Sequence, residues 1–299
     1  MSLLVVGSVA LDSVKTPFGE IREGLGGSAT YFSIAAGCFT KARLVAVVGE
    51  DFPAKHVSFL KSRGVDLRGL TRARGKTFRW EGFYGDDMNE AKTLRTDLNV
   101  FENFRPELPA AYRDTAFVFL ANIDPDLQRN VVDQIRNPHL VALDTMNYWI
   151  SSKPKSLRKT LSRVDIFFVN EGEALQLAGG SNLLKAARRL LAMGPSTVVI
   201  KRGEYGALLI RKDSLFWAPA YPLETVRDPT GAGDSFAGGF MGYLSRRKGI
   251  TETRLRRALV YGSIMASFNV EAFSLNRLRR VSREDVERRF QAFRGLVRF

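Results

Sequence analysis

The residues with the most chemical content lie between positions 228 and 240, in the run Asp228-Pro229-Thr230-Gly231-Ala232-Gly233-Asp234-Ser235-Phe236-Ala237-Gly238-Gly239-Phe240. Small residues at Gly231, Ala232 and Gly233 let successive backbone N–H groups turn toward one point. The apolar run that follows to Leu244 reads as a helix, so these amides open a helix N-terminus and make an anion hole. Asp234 falls in the first turn of that helix, where the dipole holds a carboxylate ionised. A carboxylate repels phosphate. Its place beside a phosphate cradle makes sense if it takes the proton from a hydroxyl that attacks that phosphate. The plainer reading is a glycine-rich turn whose aspartate caps the helix, and for a bare Gly-x-Gly that reading would suffice. The Gly-Lys-Thr at 75–77 has Leu70 where a Walker loop needs its first glycine, so phosphate binding falls to 231–233.

These groups need a scaffold. Short apolar runs at 3–6, 43–48, 116–120, 140–143, 166–169 and 197–200 read as strands buried on both faces. Amphipathic helical patterns at 29–39, 54–63, 126–136 and 182–192 alternate with them, which predicts an α/β fold with a mainly parallel sheet and helices on both faces. Ligands in such sheets bind beyond the carboxyl ends of the strands. One stretch breaks the alternation: Phe78, Trp80 and Tyr84 share one parity while Thr77, Arg79 and Glu81 share the other. Gly85-Asp86-Asp87 supplies a turn and 91–96 a returning strand, a small antiparallel flap. Its aromatic face either covers a ligand or packs on the main domain or a second subunit.

The chain has 299 residues, 45% hydrophobic and 25% charged, enough for one large domain over 1–299. A net charge of +14 favours polyanionic partners such as nucleotides or phosphorylated metabolites. Much of the excess sits in 246–299, with 14 Lys and Arg against 5 Asp and Glu, on helical patterns at 254–268 and 283–293. No aromatics interleave there as a stacking platform would require, so a solvated helix face is expected and nucleic acid is not. The lone Cys38 excludes an intrachain disulfide, and His56 and His139 form no metal cluster; a reducing, cytoplasmic address follows. Residues 1–11 are apolar but lack a basic leader and run into Asp12, and therefore read as a buried first strand. No run of about 18 apolar residues suits a membrane span.

The 228–240 string resembles the C-terminal signature of the ribokinase-like, or PfkB, family of carbohydrate and nucleoside kinases. Further segments are similar along most of the chain, in family order: Gly7-Ser8-Val9-Ala10-Leu11-Asp12, Gly26-Gly27-Ser28-Ala29, Asn170-Glu171-Gly172-Glu173, and Lys201-Arg202-Gly203 with Gly206-Ala207. The resemblance implies a three-layer fold with a lid from about 12–24 and 75–100, and transfer of phosphate from ATP to a hydroxymethyl group. It implies Asp234 as general base with Gly231, Ala232 and Gly233 as anion hole. Asp12, Gly26 and Gly27 would hold the acceptor, and Glu173 would organise Mg2+ through water. Nucleotide contacts would fall at Asn170, Lys201, Gly203, Thr230, Gly231, Gly233 and Asn269, with K+ as a candidate near Asp228.

The acceptor stays open. Many relatives carry Asn four residues after the glycine pair, where this chain has Tyr31, a longer group that either hydrogen-bonds a hydroxyl or stacks on a ring. Trp80 on the flap and Asn147, in the aromatic-rich string 144–149, are further candidates. A small carbohydrate is the broad expectation; a nucleoside, whose base offers a flat face, is the alternative, and a sugar phosphate near Arg79 or Arg95 a third. A reading of another class is a non-catalytic nucleotide- or RNA-binding protein on this fold. Family habit and the exposed flap edge also point to a homodimer through the lid.

Overall fold

The computed structural model describes residues 2–247 and 249–298; Met1, Lys248 and Phe299, which the reading of 1–299 as one domain includes, lie outside the described residues. Nine strands form the main sheet. Its central strand β1 (Ser2–Val6) is succeeded in chain order by β2 (Ala10–Thr16) and β3 (Gly19–Gly26), which leave the main sheet for a second one. The chain returns through β4 (Lys41–Gly49) and β5 (Asp66–Ala73), visits the second sheet again with β6 (Arg79–Tyr84) and β7 (Ala91–Asp97), and then lays down β8 (Phe117–Leu120), β9 (Leu140–Asp144), β10 (Ile166–Asn170), β11 (Thr197–Lys201), β12 (Ala207–Ile210) and β13 (Leu215–Ala218). The order across the main sheet is β13-β12-β11-β10-β9-β8-β1-β4-β5, parallel from β11 through β5 and antiparallel at the β12 and β13 edge. All six apolar runs are strands of this sheet. β5, β12 and β13 are additional; β5 is polar at alternate positions and shows no continuous apolar run.

Among the described residues ten helices complete the layers: α1 (Ser28–Gly37), α2 (Ala54–Ser62), α3 (Pro125–Gln134), α4 (Asn147–Ser152), α5 (Pro154–Leu161), α6 (Glu171–Ala178), α7 (Leu183–Leu191), α8 (Ala232–Leu244), α9 (Glu252–Asn269) and α10 (Arg283–Leu296). Strand side chains alternate between two buried clusters. Leu3 and Val5 pack with Phe32 of α1, Phe236 and Phe240 of α8 and Ile264 of α9, whereas Leu4 and Val6 pack with Val131 of α3, Leu161 of α5 and Leu190 of α7. Burial on both faces explains why these parallel strands read as unbroken apolar runs.

The second sheet has the order β3-β2-β6-β7. Two antiparallel hairpins, β2 with β3 and β6 with β7, are joined by a parallel pairing of β2 with β6. β1 lies between β4 and β8, and the chain builds outward from it in both directions. That reversal opens a crevice at the carboxyl ends of the strands, and β2 leaves the main sheet there.

Candidate active site

Gly231 caps α8 with φ +75°, and a Cβ at this position would lie 2.3 Å from the ring of Tyr31. Both facts require glycine. Ala232 donates its N–H to the Pro229 carbonyl at 3.0 Å and so closes the turn. The amides of Gly233 and Asp234 follow at the mouth of the helix, where N–H groups lack intrahelical acceptors. The turn is braced from behind. Thr230 N–H donates to Asp228 Oδ1 at 2.9 Å, and Asn269 Nδ2 donates to the Thr230 carbonyl at 2.7 Å. Asn269 is fully buried and its Oδ1 lies 3.1 Å from Ser235 Oγ, so the structure places it behind the turn rather than in the cleft. Asp228 Oδ2 accepts from Ser274 N–H at 2.8 Å, and Ser274 Oγ donates to the Leu25 carbonyl at 2.6 Å. This chain of bonds ties the turn to the end of β3.

Four charged side chains meet beside the turn. Lys201, at the end of β11, reaches across the intervening β10 to place Nζ 2.7 Å from Oδ2 of Asp144, at the end of β9. A Cβ on Gly233 would stand 3.1 Å from the same Nζ. Burial alone would pull Lys201 down, but the carboxylates of Asp144, Glu173 and Asp234 outweigh it and keep the ammonium charged. Burial pushes Asp234 up to about 7, with the Asp144 charge adding to the rise and Lys201 opposing it. Glu173 also rises to about 7, first by burial.

Glu173 belongs to a capping box: its N–H donates to Asn170 Oδ1 at 2.7 Å, and Asn170 N–H donates to its Oε2 at 2.8 Å. The capping role leaves Glu173 Oε1 with no hydrogen bond among the described residues. Among the described residues no group of three acidic, histidine or cysteine side chains could hold a metal ion by itself. A donor set of one free carboxylate oxygen near an excess of negative charge suits Mg2+ that keeps most of its shell as water and phosphate oxygens.

Across the cleft, Asp12 is buried at 5% exposure and its Oδ2 accepts from Gly27 N–H at 3.2 Å. Burial raises its carboxyl to about 7, the Gly27 bond opposes the rise, and the Asp228 charge adds to it. A Cβ on Gly26 would fall 1.8 Å from Asp12 Oδ2, and Gly27 has φ +92°. The pair lets backbone and carboxylate share one space, and Ser8 and Ser28 lock it by bonding each other's backbone N–H at 3.3 and 3.0 Å.

Parallel pairing sets Trp80 directly beside Asp12, so the two share a face of the second sheet. Trp80 lies over Gly82, where a Cβ would be 2.2 Å from the ring, and Nε1 donates to Thr93 Oγ1 at 3.2 Å. Tyr84, on the same parity, puts its hydroxyl 3.4 Å from Thr230 Oγ1, which shows that this face looks toward the anion-hole turn. Tyr31 does not line the cleft: it is 1% exposed, its ring supports Gly231, and its buried hydroxyl meets the hydrogen-bond geometry with no partner among the described residues. Asn147 is exposed at the first position of α4, and no hydrogen bond among the described residues joins it to the others. Gly203, exposed with φ +54°, is touched from the second sheet's tip, where Asn89 Oδ1 would meet a Cβ at 2.7 Å. Asp144 and Tyr84 are site groups with no individual role in the sequence reading, the first read only as part of the string 144–149 and the second only as part of the flap's aromatic face. The position of Asp144 at a strand's carboxyl end was the available signal.

The glycine turn that opens α8, a desolvated carboxylate and a buried lysine meet at one crevice. Residues 3–278 match the model of the pfkB family of carbohydrate kinases, and the chain belongs to that family. It is a phosphotransferase acting on an alcohol group. The chain is 32% identical over 258 residues to the cytidine kinase of Thermococcus kodakarensis, covering 84% of this chain and 91% of that protein. It is 27% identical over 285 residues to a nucleoside kinase of Methanothermobacter thermautotrophicus, covering 90% and 89%. The fold matches the nucleoside kinase of Burkholderia thailandensis in complex with inosine, with a TM-score of 0.80 at 19% identity over 99% of this chain and 97% of that one. Among the described residues no helix is long and apolar enough to cross a membrane.

Proposed function

We propose that this kinase transfers the γ-phosphoryl group of ATP to the hydroxymethyl group of a nucleoside, with the second sheet acting as lid. The observation that carries the acceptor class is the pairing of Trp80 with Asp12 on one cleft-facing surface. A buried carboxylate accepts hydrogen bonds from ribose hydroxyls, and a half-buried indole beside it offers a base a stacking face. Similarity to a cytidine kinase and a nucleoside kinase over most of the chain supports the same reading.

Asp12 and the Gly26-Gly27 backbone orient the ribose so that its hydroxymethyl oxygen faces the turn. Asp234 takes the hydroxyl proton as that oxygen forms a bond to the γ-phosphorus and the bond from phosphorus to the departing ADP oxygen breaks. The proton stays on Asp234 until solvent removes it. The amides of Gly233 and Asp234 receive charge that develops on the phosphoryl oxygens. Mg2+, when bound, neutralises the ATP phosphates, and Glu173 Oε1 is the group placed to hold its water shell. Closure of the second sheet over the acceptor excludes water from the γ-phosphate.

The test is ADP release with Mg-ATP across nucleosides, pentoses, hexoses and sugar phosphates. A nucleoside is expected to give the highest kcat/KM, and Trp80→Ala to raise its KM about tenfold. A free sugar or sugar phosphate that outperforms every nucleoside, indifferent to Trp80→Ala, overturns the acceptor assignment.

A further inference from the structure

We propose that Lys201 is a catalytic residue that holds the transferred phosphoryl group at the anion hole, and that Asp144 is the positioning residue that aims it. The inference rests on the kinase reading but not on the identity of the acceptor. The Lys201 ammonium stands at the helix mouth: a Cβ at Gly233 would lie 3.1 Å from Nζ. Its stem arises from β11, and only a long unbranched side chain spans β10 to arrive there. A buried lysine without a fixed partner would sample several rotamers. Asp144, 4% exposed at its side chain, fixes one by a 2.7 Å bond.

Asp144 is itself held. Its Oδ1 accepts from its neighbour's amide, Thr145 N–H, at 2.9 Å, and its carbonyl accepts from Gln128 Nε2 at 2.9 Å. The carboxylate therefore has one oxygen committed to backbone and one to the ammonium. Lys201 keeps two further N–H bonds to give, and Gly233 lies on its open side. An ammonium beside two amides completes a cradle for three phosphoryl oxygens. Glu173 and Asp234 flank the same ammonium and keep it protonated over the working pH range.

The structure also gives a reason for pairing rather than leaving the lysine alone. Asp234 must be ionised to act, and a lysine free to swing would form a salt bridge with it and lower its basicity. Asp144 occupies the ammonium and leaves Asp234 available.

The test separates phosphate recognition from chemistry. Dissociation constants for ADP and for a non-hydrolysable ATP analogue are measured by calorimetry with Mg2+, alongside kcat, in wild type, Lys201→Met, Lys201→Arg and Asp144→Asn. Lys201→Met is expected to lose about 10²–10³ in kcat and to bind the ATP analogue about tenfold more weakly while ADP affinity stays within about twofold. Lys201→Arg is expected to recover part of the analogue affinity. Asp144→Asn should lower kcat with little change in the KM for ATP and shift the acid limb of the pH profile downward, as the released lysine turns to Asp234. Lys201→Met leaves the buried Asp144 without its cation, so the double variant Lys201→Met/Asp144→Asn guards against simple unfolding. Equal weakening of ADP and analogue, or an unchanged kcat in a folded Lys201→Met or double variant, overturns the proposal. A wild type that phosphorylates no nucleoside sinks the acceptor assignment alone, because the nucleotide measurements need no acceptor.

Discussion

The two walls of the cleft are built on different principles. One wall stands on the carboxyl ends of β9, β10 and β11 and the opening of α8, and it is cross-linked: Asp228, Asn269, Ser274 and Thr230 bind one another largely through backbone groups. The other wall is a four-stranded sheet apart from the main sheet, with aromatic side chains on its inner face and Leu94 and Phe18 exposed. In the proposed mechanism the fixed wall handles the part of the reaction that is the same for any acceptor, and transition-state stabilisation demands fixed dipoles. The second wall meets the variable partner. Specificity can change there by exchanging a side chain on a strand without disturbing the core that holds the base and the anion hole.

Breaking the fixed wall has the largest consequence. Asp234→Asn should reduce kcat by about 10²–10⁴ with the fold intact by circular dichroism; near-normal turnover would remove Asp234 from the mechanism. Titration sharpens the same contrast. With Asp234 and Glu173 raised to about 7, kcat/KM should fall about tenfold or more per pH unit below neutrality and level off above it. A profile flat down to pH 5 would contradict the burial of these groups.

Stability should move in the opposite direction to activity. Asp12, Glu173 and Asp234 have folded values near 7 against unfolded values near 4, so the folded state binds more protons between pH 4 and 7. Their contribution is most favourable at acid pH, declines as pH rises through 7, and is constant above. The melting temperature of the ligand-free protein should therefore be higher at pH 6 than at pH 8, and Asp234→Asn should narrow the gap. At the second wall, Gly26→Ala drives a methyl group into Asp12 and should raise the acceptor KM more than the ATP KM. The smallest effect belongs to Tyr31→Phe. Its buried hydroxyl meets the hydrogen-bond geometry with no partner among the described residues, so its loss should leave the melting temperature unchanged or raise it. A large fall in acceptor affinity would return Tyr31 to the cleft.

The local patterns carried far in this chain. Parallel strands buried on both faces have no polar positions to hide them, so 3–6, 116–120 and 166–169 were legible as strands, and the run from Asp228 to Phe240 was legible as a turn opening a helix because small residues and a helical apolar pattern adjoin there. The strands of the second sheet's first hairpin were not, since β3 is largely exposed and alternates polar residues with glycine. Lys201 could be seen at a strand end, but its partner lies 57 residues away. Tyr31 and Trp80 both looked like ring contacts for a ligand; packing put the first beneath Gly231 and left the second beside Asp12. The sequence by itself determined six strands of the main sheet, the turn that opens α8 and the family, because these depend on neighbours along the chain. Tertiary structure alone decided which side chains face the cleft, which carboxylates lose their water and which cation Asp144 pairs with, because burial and Coulomb energy depend on distance through space.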